Sequence, residues 1–288
     1  MSANDVSAPA WFRWALAQPG TSHRVRVGGV ELHYLGWSLD DADKPPLLLV
    51  HGHRAHAHWW DFIAPFLATT HRVMAMDLSG MGDSDRRAVY PRGVGGQDII
   101  DLVQALGLAP LTVIGHSNGG LRTLSACALA PALFQRVIAV DSYAVFKGGD
   151  HPTTPPGLRG NRVYPDLASA LGRYRLLPDQ PHIEPWALAH TARHSVRQVP
   201  GGWTWKFDPL MPSGLDQEED GDELLAGVHC PVHYVYGAES LIVDEALAQR
   251  IVRQLPQGHG PIAIPGGHHH LMFDQPVALI ATLRALLA

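Results

Sequence analysis

The sequence predicts an α/β fold, a mostly parallel sheet of about eight strands with helices on both faces. Three observations predict it. Apolar runs too short to be helices alternate with longer helix-like segments. One such run, Val113-Ile114-Gly115-His116, breaks at Ser117-Asn118-Gly119-Gly120 and continues as a helix-like stretch. The alternation also stops after Asp141 and resumes only near residue 222.

Taken in order, residues 8–18, with Trp11, Phe12, Trp14 and Leu16, read as a lead-in helix. Residues 25–34 read as a hairpin with Gly28-Gly29 at its turn, because a two-residue turn needs the positive φ that glycine reaches freely. The runs 47–50, 73–76, 111–114 and 137–140 are each bounded by a polar or glycine break and read as buried parallel strands. Helix-like segments at 59–67, 98–106 and 121–129 lie between them. Over 142–221 Pro152, Pro155, Pro156, Pro200, Pro209 and Pro212 punctuate short helical pieces, which reads as an inserted helical cap after the sixth strand. The acidic run 216–223 is a solvated connection. A strand at 232–236, a helix near 244–255, a strand at 261–264 and a last helix at 275–287 complete the pattern. The expected division is therefore 1–141 and 222–288 for the core and 142–221 for the cap.

Composition narrows the function. At 288 residues and 46% hydrophobic content the chain can bury a full core. A net charge of -5 without a long basic block leaves no footprint for nucleic acid or an anionic membrane surface. Cys127 and Cys230 are too few for a disulfide framework and are expected as free thiols in a reducing compartment. The first nine residues lack a basic segment followed by an apolar one, and no run reaches the roughly 18 apolar residues of a membrane span. A cytoplasmic location and a small-molecule partner follow as expectations, with a homodimer admissible.

The stretch around Ser117 carries the chemistry. A G-x-S-x-G turn between strand and helix forces its serine into a tight backbone that only residues without a Cβ let the flanking chain approach. Such a serine needs a general base, a group that orients the base, and two N–H donors for a developing oxyanion. The Asn118 backbone N–H, next after the serine and at a helix start, is one donor. His51-Gly52-His53 ends the 47–50 run, and Gly52 allows the close approach that aims the His53 N–H at the site. For the base, Gly266-Gly267-His268-His269-His270 follows the last short strand and offers three histidines.

The ordered set His51-Gly52, Asp77-Leu78-Ser79-Gly80-Met81-Gly82-Asp83-Ser84, the Ser117 elbow, and the late Gly-His segment ending in Asp274-Gln275-Pro276 resembles the α/β-hydrolase family over nearly the whole chain. The resemblance implies the α/β-hydrolase fold, Ser117 as nucleophile and no cofactor. In that family the base usually lies about seven residues before the proline that opens the last helix, so the resemblance favours His269, while counting from the glycine pair favours His268. The acid departs from the family. Where the family has Gly-x-x-Asp after the strand at 232–236, this chain has Gly237-Ala238-Glu239-Ser240. Glu239, Asp141 at the end of the preceding strand, and the more distant Asp244 compete for that place. A serine nucleophile turns the resemblance away from the epoxide hydrolase and haloalkane dehalogenase branches and toward cleavage of a carboxylic ester or related acyl bond.

Other residues admit two readings. The run 77–84 lacks the lysine and spacing of a phosphate loop and reads as a structural turn. In the insertion Arg159, Arg162, Arg173, Arg175, Trp186, His190, Trp203 and Trp205 either read substrate or pack the cap; His116, Trp186 and Trp203 are the expected pocket residues. The spacing of His51, His53 and His56 resembles that of metallo-β-lactamase-type hydrolases, a rival metal-dependent reading, although Ala55 stands where those have a carboxylate. A non-catalytic ligand-binding protein on the same fold is a third reading, distinguished by whether Ser117 reacts covalently.

Overall fold

The computed structural model describes residues 8–146, 162–211 and 220–288. Helix α1 (Ala10–Leu16) leads into the hairpin β1 (Thr21–Val27) and β2 (Val30–Trp37). Its turn glycines, Gly28 and Gly29, both have positive φ. Next come β3 (Pro46–Val50), a 3-10 turn (Ala57–Trp60), α2 (Ala64–Leu67), β4 (Arg72–Met76), α3 (Val94–Leu106), β5 (Leu111–His116), α4 (Asn118–Leu129) and β6 (Phe134–Val140). Then follow α5 (Leu167–Leu171), α6 (Pro185–His194), β7 (Val196–Val199), β8 (Gly202–Trp205) and α7 (Gly221–Ala226). The chain closes with β9 (Val232–Gly237), α8 (Glu245–Gln254), β10 (Gly258–Ile264), α9 (Leu271–Asp274) and α10 (Pro276–Leu287).

Eight strands form one sheet in the order β1-β2-β4-β3-β5-β6-β9-β10. Strand β2 runs antiparallel to β1 and β4, and the others pair in parallel. Period-two alternation sorts the central side chains onto two cores. Leu48, Val50 and Val113 pack with Ile99, Leu124 and Ile251 of α3, α4 and α8. Leu47, Leu49 and Ile114 pack with Phe12, Leu67 and Leu283 of α1, α2 and α10. Burial on both faces is why these strands read as continuous apolar runs.

Two elements differ from the sequence reading. The helix expected over 59–67 is a 3-10 turn and a separate four-residue helix, with Pro65 at its start; a proline ring in a continuous helix would clash one turn back. The described residues 162–211 are not only helical: β7 and β8 pair antiparallel about Pro200-Gly201, with Gly201 at φ 87°. Cys127 and Cys230 are buried and free. Among the described residues no helix is long and apolar enough to cross a membrane.

Candidate active site

Ser117 stands between β5 and α4 with φ 54° and ψ -126°, a conformation costly for a residue with a Cβ. Its neighbours show why glycine is required. A Cβ on Gly119 would lie 2.2 Å from the His51 carbonyl oxygen, and one on Gly115 would lie 2.5 Å from the Gly120 Cα. The Ser117 N–H donates to the Val140 carbonyl (2.9 Å), and the Ser142 hydroxyl donates to the Ser117 carbonyl (2.8 Å). The backbone is thereby fixed and the hydroxyl stands clear of the sheet.

His269 Nε2 lies 2.9 Å from Ser117 Oγ, and His269 Nδ1 lies 2.7 Å from Asp141 Oδ1. A carboxylate only accepts, so Nδ1 carries the hydrogen and Nε2 is left to accept the serine proton. Asp141 closes β6 with φ 46° and is fully buried. Its Oδ2 accepts from the Gly237 N–H (2.8 Å) and its Oδ1 from the Ser240 hydroxyl (2.8 Å). Ser240, at the position where the family pattern has aspartate, therefore donates to the aspartate that arrives from the next strand.

The other contenders lie elsewhere. Glu239 is exposed, its backbone N–H donates to the Gly267 carbonyl (2.8 Å), and the carboxylate at His269 Nδ1 is that of Asp141. Asp244 caps α8 by accepting from the Leu247 N–H (2.8 Å). His268, the alternative base, is held by Asp274 through both its backbone N–H (2.7 Å) and Nδ1 (2.9 Å). His270 is buried against the rings of Trp59 and Phe273. Of the three consecutive histidines only His269 meets Ser117.

The loop after β3 lies directly against the elbow: a Cβ on Gly52 would sit 3.2 Å from Ser117 Cβ. Neither the His53 nor the Asn118 backbone N–H has an acceptor among the described residues. Both residues line a small cavity with Tyr90, Asp98, Arg122 and Met211. Burial, together with the nearby Arg54 and Arg122 charges, pushes His53 down to about 3, so its imidazole is neutral. His116 is a correction. It is fully buried rather than pocket-lining, and its Nε2–H donates to the His269 carbonyl (2.8 Å). Burial and the neighbouring His269 push it down to about 3, which keeps it neutral while it braces the histidine loop.

Trp186 is also a correction. Trp186 packs on Phe12 (ring centroids 4.3 Å) and Trp11, docking α6 onto α1. Trp203 lies on β8, where its backbone bridges to Tyr164. Arg162 lies over the Tyr164 ring, and Arg175 donates to the Gly172 and Tyr174 carbonyls; Arg159 lies outside the described residues. Asp77 makes the 77–84 run a structural turn, accepting from His33 Nδ1 (2.7 Å), the Ala57 N–H (2.6 Å) and the Asp83 N–H (2.9 Å).

The rival set His51, His53 and His56 does not converge. Both His51 nitrogens are engaged, Nδ1 donating to the Gly52 carbonyl (2.7 Å) and Nε2 accepting from the Leu78 N–H (3.2 Å). His56 Nε2 pairs with the Ser195 hydroxyl (2.8 Å).

Residues 47–282 match the alpha/beta hydrolase family, and the chain belongs to it. It is 26% identical over 275 residues to the esterase Rv0045c of Mycobacterium tuberculosis (strain ATCC 25618 / H37Rv), covering 92% of this chain and 88% of that one. It is 24% identical over 253 residues to the esterase YbfF of Escherichia coli (strain K12), covering 85% and 94%. The crystal structure of E-2-(acetamidomethylene)succinate hydrolase is similar in fold, with a TM-score of 0.74 at 21% identity, covering 93% of this chain and 99% of that one.

Proposed function

We propose that this protein is a serine hydrolase that cleaves a carboxylic ester, or a related acyl bond, of a small molecule through an acyl-enzyme. The observation that carries the reading is the chain of contacts Ser117 Oγ to His269 Nε2 (2.9 Å) and His269 Nδ1 to Asp141 Oδ1 (2.7 Å). As Ser117 Oγ attacks the carbonyl carbon, its proton passes to His269 Nε2, and Asp141 stabilises the imidazolium that forms. The carbonyl oxygen becomes an oxyanion between the His53 and Asn118 N–H groups. Each such donor typically contributes about 2.7–4 kcal/mol to the transition state. Collapse expels the alcohol, which takes the proton from His269. Water then gives a proton to the same nitrogen, attacks the acyl carbon and releases the acid, returning the proton to Ser117.

The esterase names of two relatives, each aligned over most of both chains, support a carboxylic ester as substrate. A series of p-nitrophenyl esters of graded acyl length tests the reading. Turnover of at least one ester, reduced roughly 10⁴-fold or more in Ser117→Ala, is the expected result. Silence across the series redirects the reading to amide or carbon–carbon cleavage, and undiminished turnover in Ser117→Ala overturns the mechanism.

A further inference from the structure

A second group of titratable side chains lies where α6 meets the 3-10 turn Ala57–Trp60. His190 and His194, four residues apart on α6, share one helix face. They meet His58 of the 3-10 turn and Asp61 just after it. Asp61 Oδ2 accepts from both His58 Nδ1 (2.8 Å) and His190 Nε2 (2.8 Å). The His58 and His194 rings stack at 3.7 Å between centroids, tilted by only 21°. One ligand atom each from His58, Asp61 and His194 lies within 4.8 Å of the others.

The geometry points to a divalent transition-metal site, with zinc as the fitting ion, formed by His58, Asp61 and His194 and joining α6 to the 3-10 turn. Two imidazoles and a carboxylate are a donor set that zinc accepts. Zinc bonds of about 2.0–2.1 Å hold tetrahedral ligand atoms roughly 3.3 Å apart, so the stacked His58 and His194 rings must turn edge-on toward the ion to close the group. His58 needs only to move its hydrogen from Nδ1 to Nε2, which frees the Nδ1 lone pair beside Asp61. His190 keeps donating to the Asp61 carboxylate and orients it, the usual partner of a metal-bound carboxylate. The His58, Asp61 and His190 side chains are 18%, 12% and 17% exposed, open enough for an ion to enter and shielded enough to hold it. The site is separate from Ser117, yet Trp59, the residue after His58, faces the His116 and His270 rings. An ion here ties α6 to the 3-10 turn whose Trp59 faces those rings.

The test is metal binding by the whole chain, read without ester turnover. Protein stripped with chelator is titrated with Zn²⁺ against a chromophoric competitor, and with Co²⁺ for its visible absorption. The expected result is one ion per chain, with the thermal midpoint raised by roughly 5 °C at about 100-fold excess over Kd. His194→Ala and His58→Gln, each shown to be folded by circular dichroism, should lose stoichiometric binding, and His190→Ala should weaken it by about 10–100-fold. Absence of stoichiometric binding by the wild type overturns the proposal, as does wild-type binding by both folded variants. Binding lost in His270→Ala but kept in His194→Ala overturns it too, by moving the ion to the His116, His269 and His270 group.

Discussion

In the proposed mechanism Asp141 takes over a place left vacant in a motif. Its carboxylate has three donors, His269 Nδ1, the Gly237 N–H and the Ser240 hydroxyl, and no solvent exposure. Asp141→Asn should lower kcat by roughly 10²–10⁴-fold, because an amide favours the wrong histidine tautomer and cannot balance the imidazolium. Glu239→Gln should stay within a few-fold of wild type, and equal losses in the two variants would contradict the assignment. Ser240 donates to Asp141 and in the proposed mechanism acts through it, as a positioning residue. Ser240→Ala should lower kcat about 10-fold with KM unchanged, the equivalent of one hydrogen bond to a charged group of about 1.5 kcal/mol. Ser240→Thr, which restores the hydroxyl, should recover most of it. A KM change without a kcat change would show that Ser240 serves binding instead.

At the scale of elements, the elbow works because α4 is pressed against β3. Gly119 lies in the first turn of α4, and a Cβ there meets the His51 carbonyl at 2.2 Å. Glycine to alanine in an exposed helix ordinarily gains up to about 1 kcal/mol. Here Gly119→Ala should instead cost about 1–3 kcal/mol, read as a lower urea midpoint with unchanged slope; a gain would mean that the close approach is absent. The same elements mark where the sequence was legible. Strands β3 to β6 announce themselves as apolar runs, and the elbow by its glycines. The β7–β8 hairpin hid inside a Pro- and Gly-rich stretch whose local signals favour turns. Asp141 could not be chosen over Glu239 from spacing alone, because the choice depends on β6 and β9 being neighbours. Their register sets Val140 beside Val235 across the whole insertion, which brings Asp141 to Gly237 and Ser240. Ser240 itself was the readable signal: a hydroxyl in the acid's usual place can donate to an acid from the adjoining strand.

The whole molecule carries several histidines neutral in its interior. Burial lowers His51, His116 and His270, with His116 at about 3. Below about 6.5 the unfolded chain binds protons that these folded side chains refuse, so stability is full above that pH and drains as pH falls, for His116 down toward about 3. His116 contributes on the order of 1 kcal/mol per pH unit within that window, and His51 and His270 add to it with the same sign. The urea midpoint should therefore fall steadily from pH 7 to pH 5, before most carboxylates titrate, and a flat midpoint would contradict neutral burial. The proposed mechanism rests on the same interior, since the braced loops hold Ser117, His269 and Asp141 together. Mass spectrometry of the intact protein after reaction with a fluorophosphonate, followed by peptide mapping, tests that arrangement most directly. The account predicts a single adduct on Ser117, absent in Ser117→Ala and slowed in Asp141→Asn. No adduct, or an adduct on another residue at the same rate in Ser117→Ala, would contradict it.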